Sequence, residues 1–192
     1  TNFDEPLTPS NFNLKPASTQ GSSAVGAVKM DSKGVFVQRG GTRLFELSFS
    51  PETFDYTSVD LSQLVPEIGQ PSIVRMGVQR QPDTRIHGIR SDGVVALLVY
   101  DKVENVLCWL KVTSTGASGL VEDVVILPGE SGDEEDRVYY VVKRTINGST
   151  VRYLEKWAME SDCVGGTTNK QADSFVTFTN SPAAASVPAG TA

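Results

Sequence analysis

Three stretches of the chain follow one plan, in which an apolar strand runs into an arginine, then a glycine-containing turn, then a second apolar strand. They are Gly34-Val35-Phe36-Val37-Gln38-Arg39-Gly40-Gly41 before Leu44-Phe45-Glu46-Leu47, and Ile86-His87-Gly88-Ile89-Arg90-Ser91-Asp92-Gly93 before Val94-Val95-Ala96-Leu97-Leu98. The third is Tyr139-Tyr140-Val141-Val142-Lys143-Arg144-Thr145-Ile146-Asn147-Gly148 before Val151-Arg152-Tyr153-Leu154. Asp92-Gly93 and Asn147-Gly148 are strong hairpin turns, because each pair tolerates the positive φ angles of a tight reversal. The turn glycines Gly41, Gly93 and Gly148 recur at intervals of 52 and 55 residues. A four-stranded propeller blade takes about 40 to 50 residues. The run from Val94 through Val99 is apolar on both faces, as expected of a sheet packed between two neighbours; a sandwich strand would alternate. The expectation is an all-β chain built as a partial β-propeller of about three to four antiparallel blades.

Between the turns, residues 35–37, 44–49, 86–89, 94–100, 106–112, 121–127, 138–142, 151–157 and 175–178 read as short strands rich in β-branched and aromatic residues. Helix signals are weak. Asp60 is placed to cap a turn over residues 61–64 before Pro66 stops it, and Ser50-Pro51-Glu52 reads as another single turn. The expected organisation is a lead-in with the first strand or strands of a blade at 1–26, blades with the repeated hairpins at 27–162, and at 163–192 a further strand with an Ala/Pro/Gly-rich connector to a following domain. Both ends read as cut points of a longer protein. No stretch approaches the roughly 20 apolar residues of a bilayer-spanning helix.

Charge and rare residues narrow the chemistry. Seventeen Lys and Arg against 23 Asp and Glu give a net charge of −6, which disfavours tight binding of a phosphate backbone. Cys108 and Cys163 are the only cysteines, too few for a disulfide framework or a cysteine zinc site; they read either as one bridge or, the favoured reading, as two free, buried thiols. His87 is the only histidine, so any triad or histidine metal site must pass through it.

Longer ordered strings carry a family resemblance. Gly34-Val35-Phe36-Val37-Gln38-Arg39-Gly40-Gly41-Thr42-Arg43-Leu44, then Tyr56 and Asp60-Leu61-Ser62 to Pro66, are similar to propeller blades of phage tail nozzle proteins, also called tail tubular protein B. So are Arg90-Ser91-Asp92-Gly93-Val94, Leu98-Val99-Tyr100-Asp101, Val106-Leu107-Cys108-Trp109, Val124-Val125-Ile126-Leu127-Pro128-Gly129, and the third hairpin from Asp136-Arg137-Val138 to Arg152-Tyr153-Leu154-Glu155. Leu7-Thr8-Pro9-Ser10-Asn11-Phe12 and Asp173-Ser174-Phe175 fit the same order, so the resemblance covers nearly the whole chain. Family members are several times longer, which implies that this chain is an internal piece. The resemblance also implies a non-enzymatic virion component, made in the host cytoplasm and without cofactor. Such a protein assembles as a ring of six copies below the adaptor, contacts the adaptor and tail fibres, and forms the channel through which the genome is ejected. An acidic lumen would repel DNA and let it slide.

Individual residues carry competing readings. Arg39, Arg90 and Arg144 recur at the turn entrances, either as a basic rim or as repeated contacts to a neighbouring blade's carboxylate or carbonyl. Glu130, Asp133, Glu134, Glu135 and Asp136 form an acidic run, either a lumen- or adaptor-facing loop or a plain solvated one. Asp83 and Asp92 flank His87, and a carboxylate beside an imidazole can orient a general base, but no serine or cysteine signature accompanies them. Ser91-Asp92-Gly93 is similar to one piece of the sialidase blade motif and lacks the rest, so a paired-carboxylate hydrolase is the third choice. Trp109 and Trp157, with Tyr139, Tyr140 and Tyr153, would serve a receptor- or glycan-binding propeller, the second choice; as blade aromatics they read as core. Gly40-Gly41 and Gly165-Gly166 lack the lysine and helix of phosphate loops.

Overall fold

The computed structural model describes residues 6, 8–12, 16–113 and 119–159. The chain divides into a unit Thr1–Trp157 and a second, Ala158–Ala192. The described strands all lie in the first, and among the described residues there is no helix. Sheet 1 runs β1 (Val28–Met30), β2 (Lys33–Val37), β3 (Leu44–Ser50) and β4 (Asp55–Asp60). Sheet 2 runs β5 (Ile73–Gln79), β6 (Arg85–Arg90), β7 (Val95–Asp101) and β8 (Val106–Val112). Sheet 3 has β9 (Leu120–Leu127), β10 (Arg137–Ile146) and β11 (Ser149–Lys156). Each is an antiparallel meander of consecutive strands. The strand expected at 175–178 lies outside the described residues.

The three repeated hairpins are β2–β3, β6–β7 and β10–β11, and Gly41, Gly93 and Gly148 hold φ of 78°, 80° and 77° at their turns. The turns also fasten one sheet to the next. The carbonyl of Gly41 accepts from the N–H of Ile73 at 2.8 Å, and that of Gly93 from the N–H of Val121 at 3.0 Å. In both cases a hairpin turn holds the first strand of the following sheet. At the other end of β5, the Arg80 guanidinium reaches the Lys29 carbonyl and the Asp31 carboxylate, while its backbone N–H donates to Asp136 at 2.6 Å. The first strands accordingly lie beside one another, β1 against β5 and β5 against β9.

Sheet 2 is covered on both faces. Ile86 and Leu98 pack with Met30, Val35, Val37, Leu44 and Leu61 of the sheet 1 side. Ile89 and Val95 pack with Val121, Val124, Val138, Tyr140 and Val142 of sheet 3. The two-sided apolar character of β7 follows from this, since successive side chains point to opposite faces. Each such aliphatic side chain contributes about 1.5–3 kcal/mol on leaving water.

The turn expected over residues 61–64 is present and no helix follows it: Asp60 Oδ1 accepts from the N–H and hydroxyl of Ser62, and i to i+3 bonds step through Val65, Ile68 and Gln70. The turn after Pro51 reverses at Phe54, whose φ is 51°, and delivers the chain into β4. Other expectations give way. Strands β1, β4 and β5 were not expected. β4 is polar and outermost, formed by its ladder to β3. β5 contains Gly77, a breaker in sequence, yet a Cβ there would lie 2.7 Å from Ile126 Cδ1, so the glycine admits sheet 3.

A pair of substitutions separates turn strain from docking. At Gly148 a Cβ would meet nothing within 4 Å, whereas at Gly93 it would lie 2.6 Å from Leu120 Cβ and 2.8 Å from Leu120 Cα. Gly148→Ala should cost about 1–2 kcal/mol, the left-handed penalty alone. Gly93→Ala should cost about 1–3 kcal/mol more from overpacking. Urea unfolding midpoints of the two variants check the difference.

Candidate functional site

Polar groups buried between the sheets are the most chemically distinctive part of the molecule. Between sheets 1 and 2, Lys33 on β2 pairs with Glu46 on β3, and both bond to the phenol of Tyr100 on β7. Lys33 Nζ donates to Tyr100 Oη at 2.9 Å, and Tyr100 Oη donates to Glu46 Oε2 at 2.9 Å. Glu46 is 5% exposed. Burial by itself would lower the Lys33 pKa; the hydrogen bonds from its ammonium to Glu46 and Tyr100 outweigh that and hold it above its usual value.

Between sheets 2 and 3 lies His87 on β6, fully buried. Its Nδ1 is 2.6 Å from Tyr140 Oη on β10, and its Nε2 is 3.1 Å from Gln79 Oε1 on β5. Gln79 Nε2 donates to the Gln81 carbonyl at 2.7 Å, so the amide presents its oxygen to the imidazole. The network fixes the neutral tautomer: Nε2 donates to Gln79 and Nδ1 accepts from Tyr140. Trp157 meets the ring edge-on at 5.5 Å. Burial, aided by the positive charge of Arg85, lowers the His87 pKa to about 4. Burial likewise pushes the Tyr140 phenol well above its ordinary range.

The carboxylates expected around His87 are elsewhere. Asp83 is held by Arg85 at 2.6 and 3.1 Å, and Asp92 is held by Arg90. A buried imidazole bonded on both nitrogens to Tyr140 and Gln79 is a pin between sheets, with no exposed lone pair to serve as a base. Among the described residues, no three His, Cys, Asp or Glu side chains converge into a metal site.

No family model matches this chain. No curated protein matches it either.

The recurrent arginines do different jobs. Arg90 binds Asp92 of its own turn through two nitrogens and reaches the Ile68 carbonyl of the connection between β4 and β5 at 3.2 Å. Arg144 forks onto Glu155 across its own hairpin at 2.7 and 3.0 Å. Arg39 donates its backbone N–H to Gly21 at 3.1 Å. The carboxylate contacts are thus within a sheet, and the contact to a connection is made through a carbonyl.

The acidic run lies in the β9–β10 connection and is largely consumed by local bonds. Glu130 and Asp133 grip Arg137 at 2.7 and 3.0 Å. Asp136 caps the backbone of Arg80 and Gln81 at 2.6 and 3.1 Å. Glu135 is buried and Glu134 exposed. Of the aromatics, Trp109 donates its indole N–H to the Leu61 carbonyl at 2.8 Å, Tyr139 is half-buried and Tyr153 exposed. Cys108 is a free thiol, exposed on β8 rather than buried as expected; Cys163 and Gly165-Gly166 lie outside the described residues. A cavity of about 350 Å³ opens between sheets 1 and 2, lined by Asp31, Asp83, Asp101, Lys33, Arg80 and Lys102 among others. Its alternating charges favour neither an anion nor a cation.

The His87 pin generates a pH dependence with a definite sign. The unfolded imidazole takes up a proton near pH 6.5, whereas the folded one resists to about pH 4. Stability is therefore full above pH 6.5 and is lost as pH falls toward 4. Between pH 7 and 5 the loss should be about 2 kcal/mol, and His87, the only histidine, is its source. Urea titrations at the two pH values should show this slope in the wild type and its loss in His87→Gln.

Proposed function

We propose that this chain is a non-enzymatic structural part of a phage tail, a segment of a nozzle subunit whose sheets are blades of a β-propeller. The observation that carries the reading is the repeated fastening of Gly41 to Ile73 and Gly93 to Val121. It sets successive meanders face to face with their first strands adjacent, which is how blades are arranged about a central axis. The strings that resemble nozzle proteins fall on these meanders, which is what supports the family part of the reading.

In this reading the partners are further copies in a ring, the tail adaptor and tail fibres, and DNA in transient, non-specific passage. Residues 130–136 set five carboxylates against the single guanidinium of Arg137, so the segment stays negative although Glu130, Asp133 and Asp136 are held in place by local bonds. The net charge of −6 is spread over the chain, and such a surface disfavours adhesion of a phosphate backbone. The glycan-binding reading loses force, since the Trp109 indole N–H is already committed to a main-chain carbonyl and Trp157 is packed on His87.

Mass spectrometry of purified virions should find peptides of this chain, and antibody labelling should place them at the distal tail. Absence from virions that carry portal and adaptor would overturn the nozzle reading. The purified protein should also leave duplex DNA unshifted on a gel at about 0.15 M salt, where counterion release still drives basic DNA binders.

A further inference from the structure

The two joints between sheets are held by different chemistry. Between sheets 1 and 2 the buried polar group is a cation that already has its counter-charge, Lys33 on Glu46, with Tyr100 bonded to both. Lys33 is held above its usual pKa, so it stays charged and paired at neutral and mildly acid pH. Between sheets 2 and 3 the buried polar group is a neutral imidazole, 0% exposed, whose partners Tyr140 and Gln79 are themselves uncharged. His87 is the only histidine, so the first joint contains no group of this kind.

Among the described residues, the groups facing His87 offer no counter-charge for an imidazolium. On its own strand the charge that acts on it is that of Arg85, positive and held by Asp83 at 2.6 Å. β5 places Gly77 and Gln79 beside it, and its Arg75 lies 3.9 Å from Asp123 of β9. β7 offers Leu97, and β8 sets Leu110 and Cys108 on the same side. From sheet 3 come Val124 and Ile126 of β9 over Gly77, Tyr140 of β10 and the edge of Trp157. The carboxylate across from Tyr140 is Glu155 of β11, and both its oxygens are held by Arg144. A proton added to Nδ1 would leave a buried charge with neutral partners and a cation for a neighbour, whereas in water the same ring charges freely.

We propose that the joint between sheets 2 and 3 is acid-sensitive: protonation of His87 frees sheet 3 while sheets 1 and 2 remain joined. The imidazole takes up its proton where the two sheets part, so acid favours the opened form. Freed of sheet 2, the meander β9–β11 is left with Val121, Val124, Val138 and Val142 bare, and three strands with an uncovered apolar face do not persist. Their amides then exchange with solvent. The ring protonates near pH 6.5 in water and at about 4 in place, so the opened form should be roughly 20-fold more populated at pH 5 than at pH 7. Global unfolding takes up the same proton; what distinguishes this joint is that sheet 3 opens at lower cost than the rest. Nothing in the device depends on the place of the chain in a tail.

Native-state hydrogen exchange of the intact chain in low urea, at pH 7 and pH 5, tests it. Relative to the unstructured-chain rate at each pH, amides of β10 bonded to β9 or β11 should lose about 20-fold in protection at pH 5. They should do so through an opening with a smaller urea dependence than that of β6 and β7. In His87→Gln the β10 opening should keep its small urea dependence and lose its pH dependence. NMR of the wild-type imidazole should show the neutral tautomer retained in the folded protein at pH 5. If His87→Gln does not fold, His87→Asn takes its place, and the two wild-type measurements decide by themselves. β10 amides that exchange only with β6 and β7, at the global urea dependence, would overturn the proposal, because sheet 3 would then leave only with the whole molecule. So would a β10 pH dependence unchanged in His87→Gln, or an imidazole that charges in place near pH 6.5.

Discussion

A sheet that is apolar on both faces cannot stand in water, and sheet 2 is such a sheet. Ile86 and Leu98 point one way, and Ile89 and Val95 the other. Both sides must be covered, and because β5 through β8 are consecutive and joined by short turns, the covering sheets have to come from the chain before and after. Sheets 1 and 3 meet that need. Their attachment through the turn glycines then follows from geometry, since a hairpin turn at the end of one sheet is where the next first strand arrives.

Apolar stacking alone does not set how far one sheet slides over another. The buried polar groups do. Lys33 and Glu46 find their third partner only if Tyr100 arrives opposite them, and His87 is satisfied on Nδ1 only if Tyr140 does. Misalignment would strand a buried charge or donor, which costs more than a correct pair contributes. Both networks draw a residue from sheet 2, so the central sheet fixes its neighbours on either side. The same placement removes His87 from catalysis and makes it sensitive to acid.

Much of this was legible in the residues. Positive φ at Gly93 and Gly148 follows from the Asp-Gly and Asn-Gly pairs, and the two-sided burial of β7 from its uninterrupted apolar run. The missing strands are those whose formation is decided by neighbours. β4 is Asp-Tyr-Thr-Ser-Val-Asp, too polar to declare itself, and exists because β3 offers a ladder edge. β5 hides behind Arg75 and Gly77, and the glycine makes sense only against Ile126. Side-chain partners were hardest to foresee. The acidic run contains no sign that Arg137 and the Arg80 backbone will consume it, and nothing near His87 in sequence announces Tyr140, 53 residues away. The exposure of Cys108 reflects the outermost position of β8, a property of sheet order that composition does not encode.

Native-state hydrogen exchange tests the two-sided burial of sheet 2 most directly. Backbone amides that bond within β6 and β7 should exchange only through global unfolding, while those of the outer strands β4, β8 and β11 exchange through smaller openings. Amides of β6 and β7 that exchange as readily as those of β4 and β8 would contradict it, because a sheet held between two neighbours cannot open before they do.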